Sequence, residues 1–330
     1  MHAKLNALIT SVTSSSLHVS DALSSYVTTD AGNDNFTHTL TVSGQALTPF
    51  IVKSVLQALE KHFAASFMTF HHLHNVFGDS VVTLRGELLS ADVSSVKAAL
   101  GDLSSTYNID IGIQASRPSL SQPGLLVMDM DSTVIAIECI DEIAVLAGVG
   151  EQVAEVTARA MRGEIAFNDS LVHRVTCLDG VPLAHLEKIR NRIPLMPGIQ
   201  TLVQTLQKHN WKLAIASGGF TYFADYLKAR LGLDYAISNT LGVNDGNLNG
   251  KVEGEIINAE VKARTVKTLA EKWQIPKAQT VAMGDGANDL VMMAESALGV
   301  ACHGKPLVNE KADVAIRVGS LHSMLYFLEG

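Results

Sequence analysis

The chain has 330 residues, of which 47% are hydrophobic and 18% are charged, and its formal net charge is −8 at pH 7. This length and composition predict two domains with sizeable cores. The acidic balance argues against a nucleic-acid-binding protein, and an anionic substrate would need a locally positive pocket.

From residue 36 onward, the first third of the chain alternates between strand and helix patterns. Strands are predicted over residues 37–42, 67–73, 80–88 and 109–114, and helices over residues 50–63 and 91–103. The resulting βαββαβ order is a split βαβ unit and resembles ACT-type regulatory modules in order and size. We predict an ACT-like α+β domain over residues 1–120, acting in packing or homodimerisation. Residues 1 to about 34 support no functional prediction.

The sequence PSLSQP at residues 118–123 is rich in Pro and Ser and predicts a domain boundary. The apolar run Leu125 to Met128 follows and stops at Asp129, which is typical of a buried strand in a parallel sheet. Open α/β sheets bind ligands outside the carboxyl ends of their strands. We therefore predict an α/β domain over residues 121–330, with its chemistry near Asp129.

Asp129 and Asp131 lie directly after this first strand. Two close carboxylates suit a hard cation such as Mg²⁺, and one of them could act as a nucleophile that forms an acyl-phosphate. The other could protonate a leaving oxygen if its pKa is raised. From this DxD pattern alone, a turn or a helix cap is the favoured interpretation, because such short motifs have many false positives.

Residues 138–195 have helical patterns throughout, without a second strand for about sixty residues, which is too long for an ordinary crossover. We interpret them as an inserted helical cap over the strand ends. Caps of this kind exclude water and complete a site.

Polar groups also follow two later strand patterns. Residues 211–216 end in Ser217-Gly218-Gly219, which suits an oxyanion, although an ordinary turn has the same composition. The strand at 280–283 is followed by GDGAND, in which Asp289 stands where a dinucleotide fingerprint has its third glycine. An acid there would repel a pyrophosphate, so a dinucleotide-dependent oxidoreductase is disfavoured.

A predicted hairpin lies between these two motifs, with strands over residues 235–243 and 251–257 that flank NDGNLNG. Lys262 follows the hairpin near the start of a helix. A single lysine on a helix is usually solvated, so Lys262 matters only if it faces the site.

Together, DMDST at 129–133, SGG at 217–219, Lys262 and GDGANDL at 284–290 resemble the haloacid dehalogenase-like phosphohydrolases. The motifs occur in the family's order, and the cap lies between the first and the second. Glu138, Phe167 and Arg174 resemble cap residues of the phosphoserine phosphatases within that family. The resemblance implies a Rossmann-like three-layer parallel sheet and Mg²⁺-dependent hydrolysis of O-phospho-L-serine, the final step of L-serine biosynthesis.

The resemblance also implies a role for each residue. Asp129 would be the nucleophile and Asp131 the general acid and base. The Mg²⁺ ligands would be Asp129, the backbone carbonyl of Asp131, and Asp285, with Asp289 binding the ion or orienting its shell. Phosphoryl and substrate contacts would come from Ser217, Gly218, Gly219, Lys262 and Asn288, and from Glu138, Phe167 and Arg174 in the cap.

Three alternatives stay open on the sequence. In isolation, Arg174 could form a surface ion pair and Glu138 could be an acid favoured by a helix N-terminus. The enzyme could instead be a phosphatase or phosphotransferase for another small phosphomonoester. The chain could also be a non-enzymatic amino-acid sensor that works through its N-terminal module.

The three cysteines, Cys139, Cys177 and Cys302, show no CxxC pairing, which fits a reducing compartment. Ser and Thr interrupt the N-terminal apolar sequence before a signal-peptide core forms, and no uncharged apolar stretch is long enough to span a bilayer. We therefore expect a cytoplasmic protein without nucleic-acid or membrane partners.

Overall fold

The structure is a computed structural model and describes residues 17–20, 25–28 and 36–330. The rest of the N-terminal segment, including the expected absence of a signal peptide, lies outside the described residues. Residue contacts group the chain into two compact units, one of residues 1–121 with 300–330 and one of residues 122–299. The domain limits drawn from the sequence stay a prediction, and this grouping differs from them for residues 300–330.

An antiparallel sheet forms the centre of the first unit, with strand order β2-β1-β4-β5-β3-β6. Its elements are β1 (Leu17–Ser20), β2 (Ser25–Thr28), β3 (His38–Gly44), α1 (Pro49–Ala58), β4 (Phe63–Phe70), β5 (Ser80–Leu88), α2 (Val93–Tyr107) and β6 (Asp110–Gln114). From β3 onward the element order is the predicted βαββαβ.

Several boundaries in this unit differ from the prediction by a few residues, and the end of the first helix differs most. The predicted helix extends to Phe63, but α1 ends at Ala58 and Phe63 begins β4, where it pairs with Leu88. Helical spacing of apolar residues continues past Ala58, but Phe63 is almost fully buried in the sheet-side core. Tertiary packing therefore ends the helix earlier than the local pattern indicates.

The second sheet has seven strands in the order β10-β9-β8-β7-β11-β12-β13. The strands are β7 (Leu125–Met128), β8 (Lys212–Phe220), β9 (Tyr235–Asn244), β10 (Asn247–Glu253), β11 (Thr280–Gly284), β12 (Leu298–Cys302) and β13 (Val314–Ile316). The pairs β7–β8, β8–β9, β7–β11 and β12–β13 are parallel. The predicted parallel α/β sheet is confirmed.

The described residues contain eleven α-helices, and four of them form the predicted cap between β7 and the next core helix. The cap helices are α3 (Cys139–Ala147), α4 (Gly150–Met161), α5 (Phe167–Thr176) and α6 (Leu183–Arg190). The later helices are α7 (Ile199–Lys208), α8 (Thr221–Leu231), α9 (Ala259–Lys272), α10 (Leu290–Glu295) and α11 (Pro306–Lys311).

The hairpin β9–β10 turns at Asp245-Gly246, where both residues have positive φ. This two-residue turn matches strand twist, so β10 begins at Asn247 rather than at the predicted residue 251. The hairpin contacts the cap, because Leu248 N donates to Val181 O and Gly180 N donates to Leu248 O, both at 2.8 Å.

The first core strand, β7, is buried along its whole length, which explains its uninterrupted apolar sequence. None of the helices in the described part of the chain is long and apolar enough to cross a membrane.

Candidate active site

Asp129 stands at the carboxyl end of β7, where the chain makes a tight turn. Its N–H donates to Met283 O at 2.9 Å, and its Oδ1 accepts from the N–H of Met130 at 2.7 Å. Ser132 has a φ of 56° in the turn, and the N–H of Ile135 donates to Met130 O at 3.0 Å. These bonds fix the first acid of the motif against the edge of the sheet.

Lys262 lies between two carboxylates and is almost completely buried. Its Nζ is 2.8 Å from Asp129 Oδ2 and 2.8 Å from Asp289 Oδ1. Burial opposes the charge on Lys262, but the two carboxylates outweigh it and raise the pKa of Lys262. The lysine therefore faces the site as a cation and is not a solvated helix residue.

Asp289 is held by its surroundings from several sides. Its Oδ2 accepts from the N–H of Gly286 at 3.0 Å, and its Oδ1 accepts from Nδ2 of Asn288 at 3.3 Å. Burial and the neighbouring Asp129 raise the pKa of Asp289, while Lys262 opposes them. A Cβ on Gly284 would overlap the Asp289 carboxyl, so only glycine fits there.

Three carboxylates could hold a metal ion at this end of the sheet. One oxygen from each of Asp129, Asp285 and Asp289 lies within 4.8 Å of the others. Oxygen ligands suit a hard divalent cation. With Lys262 as the cation beside them, three ionised acids leave two negative charges, which matches the charge of such an ion. The residues present therefore fit a divalent metal.

The irregular carboxyl-terminal part of β8, residues 217–219, brings a hydroxyl and backbone amides to the same edge. Ser217 Oγ accepts from the N–H of Gly219 at 3.0 Å, which leaves its own proton free to be donated outward. A Cβ on Gly219 would lie 3.0 Å from Asp131 Oδ2 and 2.5 Å from Cε of Met130. Glycine at this position allows the end of β8 to contact the turn that follows β7.

The environment of Asp131 favours its neutral form. Burial is the largest cause, and the nearby Glu138 and Asp129 act in the same direction, so the pKa of Asp131 lies well above its usual range despite hydrogen bonds from Cys139. Its Oδ1 is buried without a hydrogen-bond partner in the described structure. A buried carboxyl whose neutral form is favoured in this way suits a general acid.

The structure places the three predicted cap residues around these acids. Glu138 directly precedes α3 and accepts from Ser132 Oγ at 2.8 Å. A Cβ on Gly218 would lie 3.1 Å from Cζ of Phe167, so that ring lies against the irregular end of β8. Arg174 is partly buried on α5, and burial lowers its pKa against the opposing charges of Asp141, Glu138 and Asp131.

Three further residues at the site were not predicted from the sequence. Thr133 Oγ1 lies 3.5 Å from Asp285 Oδ1, and Cys139 bonds to Asp131. Asn239 is fully buried and bonds to the backbone of Gly218. Asn239 lies in the middle of β9 and Cys139 is the first residue of α3, and neither had a distinguishing pattern in the sequence.

A family model for haloacid dehalogenase-like hydrolases matches residues 124–296, which include every residue of the site described above. The chain belongs to the haloacid dehalogenase-like hydrolase family. The predicted family and the hydrolase class are therefore confirmed.

Relatives of this chain within the family are known from sequence and from structure. A phosphoserine phosphatase of Vibrio cholerae is 51% identical over 248 residues, 75% of this chain and 73% of the relative. One of Haemophilus influenzae is 53% identical over 220 residues, 67% of this chain and 70% of the relative. The crystal structure of a probable phosphoserine phosphatase from Vibrio cholerae superposes with a TM-score of 0.72 at 43% identity, covering 88% and 86% of the two chains.

Proposed function

We propose that this chain is a phosphoserine phosphatase, which hydrolyses O-phospho-L-serine to L-serine and phosphate in the final step of L-serine biosynthesis. The observation that carries the proposal is the buried lysine between two carboxylates, Asp129 and Asp289, beneath a cap that bears Glu138 and Arg174. The identity to phosphoserine phosphatases over about three quarters of the chain supports the same substrate.

The reaction proceeds in two in-line steps. A carboxylate oxygen of Asp129 attacks phosphorus, and the bond between phosphorus and the seryl oxygen breaks while Asp131 gives its proton to that oxygen. Water then attacks phosphorus of the aspartyl-phosphate, Asp131 takes the proton, and phosphate leaves with Asp129 restored. Asp131 thus ends the cycle protonated, as its buried surroundings favour.

The transferring phosphoryl group carries negative charge that the site must balance. Lys262, the hydroxyl of Ser217 and the amide of Gly218 supply a cation and donors, with Gly219 and Asn288 beside them. When bound, Mg²⁺ at Asp129, Asp285, Asp289 and the carbonyl of Asp131 would neutralise further phosphoryl charge.

The cap residues explain the choice of an amino-acid phosphate. The guanidinium of Arg174 can grip the substrate carboxylate with two hydrogen bonds, and Glu138 can pair with the ammonium group. Ser132 holds the Glu138 carboxylate in place at 2.8 Å. Phe167 covers the pocket from the side of Gly218.

Several finer points belong to the same proposal. Mg²⁺ is the ion we assign to the acidic cluster, and the cytoplasm is the location we assign to the enzyme. The enzyme binds phosphoserine as its substrate and binds neither nucleic acid nor a membrane. The ACT-like N-terminal domain over residues 1–120 forms the contact of a homodimer. Residues 121–330 form the phosphatase domain, with its cap at about 138–195.

The test is phosphate release from a panel of phosphomonoesters, with Mg²⁺ and with EDTA. We expect a strong preference for phosphoserine that is lost with EDTA and in Asp129→Asn. The matched control is Asp225→Asn, an exposed acid on α8. Release from other esters but not from phosphoserine would reject the assigned roles of Glu138 and Arg174. A folded Asp129→Asn variant with wild-type turnover would reject the nucleophile.

A further inference from the structure

Strands β8 and β9 lose their regular register between Ala216 and Phe220, where the residues assigned to phosphoryl binding lie. Ala216 pairs with Ile237, and the next pair is Phe220 with Asn239, so four steps along β8 oppose two along β9. Between these pairs, the three residues Ser217 to Gly219 of β8 oppose the single residue Ser238 of β9, so β8 bulges by two residues. Backbone groups in a bulge lose their ladder partners and need others if they are buried.

The side chain of Asn239 replaces one of these partners and also binds a backbone group outside the bulge. Its Nδ2 donates to Gly218 O at 2.8 Å, and its Oδ1 accepts from the N–H of Ile257 at 2.8 Å. Asn239 is 0% exposed. Because a carbonyl only accepts and an amide N–H only donates, these two partners fix the orientation of the side-chain amide.

One end of this bridge fixes the peptide between Gly218 and Gly219. Asn239 holds its carbonyl oxygen, and Ser217 Oγ accepts from its N–H at 3.0 Å. A peptide unit is planar, so two bonds at opposite ends define its orientation. The direction in which Ser217 presents its hydroxyl follows from that orientation.

The other end of the bridge fixes the start of α9. Ile257 precedes Asn258, whose side chain caps the helix by accepting from the N–H of Val261 at 3.1 Å. The N–H of Lys262 donates to Asn258 O at 3.0 Å in the same turn. One buried amide therefore connects the bulge in β8 to the helix turn that carries Lys262.

We propose that Asn239 is a positioning residue for phosphoryl transfer, which sets the spacing between the donors of Ser217 and Gly218 and the ammonium of Lys262. This inference rests on the proposed function in taking those groups as the phosphoryl-binding ones. Asn239 acts through them and does not touch the substrate. A displacement of about 1 Å between such groups can cost roughly 100-fold in rate.

The experiment compares Asn239→Asp and Asn239→Ala with Thr280→Val. Asn239→Asp keeps an acceptor for Ile257 N but sets an acceptor against Gly218 O. Thr280 is a matched control, because its buried Oγ1 also connects two backbone groups, donating to Lys277 O at 2.7 Å and accepting from Ala297 N at 3.0 Å. It lies at the opposite end of β11 from the site. Thr280→Val therefore measures the effect of losing a buried hydrogen-bonded bridge that positions no residue of the site.

For both Asn239 variants we expect kcat/KM per folded molecule to fall about 100-fold. We expect inhibition by inorganic phosphate to weaken about 10-fold, while inhibition by L-serine stays within about twofold, because the bridge orders only the phosphoryl-binding groups. Thr280→Val should lose stability with its kcat/KM unchanged. The folded fraction is measured by circular dichroism at the assay temperature.

Wild-type kcat/KM and phosphate inhibition in either folded Asn239 variant would overturn the proposal, and so would equal weakening of phosphate and serine inhibition. If the wild type does not hydrolyse phosphoserine, the proposed function fails separately. The Asn239 comparison then uses p-nitrophenyl phosphate turnover and phosphate inhibition, with the same results expected.

Discussion

At the scale of single residues, Lys262 balances the charge of the buried acids. Lys262→Met keeps a side chain of similar length but removes the ammonium group that lies 2.8 Å from both Asp129 and Asp289. Breaking a buried pair in this way costs about 3–5 kcal/mol. We expect the free energy of unfolding to fall by that amount, and the stabilisation gained on adding Mg²⁺ to exceed that of the wild type. Urea unfolding with and without Mg²⁺ measures both.

The matched control for this variant is Lys267→Met on the same helix. Lys267 is 61% exposed and pairs with Glu295 at 3.0 Å, so its loss should cost under about 1 kcal/mol. Equal effects of the two substitutions, or a gain from Mg²⁺ no larger than in the wild type, would contradict the role of Lys262.

Arg174 tests the substrate assignment of the cap. Arg174→Ala removes a charged hydrogen-bond partner worth about 1.5–3 kcal/mol, so we expect the KM for phosphoserine to rise roughly 10- to 100-fold with kcat changed little. Steady-state kinetics give both constants. Arg192→Ala is the control, because Arg192 is 62% exposed and its ion pair with Glu142 is long, at 3.7 Å. An unchanged KM in Arg174→Ala would remove this residue from the substrate site.

At the scale of the elements, the end of β11 leaves no room for a side chain at Gly284. A Cβ there would overlap Cγ and Oδ2 of Asp289, so Gly284→Ala must displace that carboxylate from Lys262 and from Gly286 N. We expect kcat/KM to fall at least about 100-fold and the concentration of Mg²⁺ needed for half-maximal activity to rise. Phosphate release across a Mg²⁺ titration measures both.

Gly101→Ala is the control for this steric argument. Gly101 lies inside α2, where a Cβ would meet only Nη2 of Arg317 at 3.8 Å, and alanine favours a helix by up to about 1 kcal/mol. We expect unchanged activity and equal or greater stability. Full activity in Gly284→Ala would show that Asp289 can move without loss and would reject its assigned place.

The elements that the sequence predicts best are those whose local pattern and tertiary packing agree. The strand β7 has the predicted limits because all four of its residues are buried and the polar motif that begins at Asp129 ends the apolar run. The helix α1 and the strand β10 do not, since sheet pairing of Phe63 and the two-residue turn at Asp245-Gly246 decide their limits.

The residues of the site that carry charge were predictable from the sequence, and the residue that positions them was not. Its acids and Lys262 follow strand ends or open a helix, so the topology of a parallel sheet brings them together. Asn239 was not predictable, because its role depends on a bulge in β8 that no local pattern shows. Residues that position other residues through hydrogen bonds show no regular spacing in the sequence. Only the folded structure shows which groups they bind.

At the scale of the whole molecule, stability in acid depends on a buried histidine far along the chain from the catalytic motifs. His71 Nδ1 accepts from the N–H of Leu73 at 3.2 Å, so Nε2 carries the proton and donates to Leu328 O at 3.1 Å. Burial, with further contributions from His72 and Arg117, lowers the pKa of His71 to about 3. The first unit therefore contains a histidine that stays neutral when folded.

The sign of the effect follows from proton uptake. In an unfolded chain the pKa of histidine is about 6.5, so between about pH 6.5 and pH 3 the unfolded state binds the proton and the folded state does not. The free energy of unfolding therefore falls as the pH falls through this window, by about 2 kcal/mol at pH 5 from His71 alone. Asp110 acts in the opposite direction, because burial raises its pKa.

His71→Gln removes the titration and isolates this contribution. Glutamine can still donate to Leu328 O, and Asp110 is present in both proteins, so the difference between them reports His71. Between pH 7.5 and pH 5.0, we expect the wild type to lose about 2 kcal/mol more than the variant, whatever the variant costs at pH 7.5. Urea unfolding at the two pH values measures the difference. Parallel pH dependence in the two proteins would mean that His71 takes up its proton without unfolding, and that the bond to Leu328 survives a charged ring.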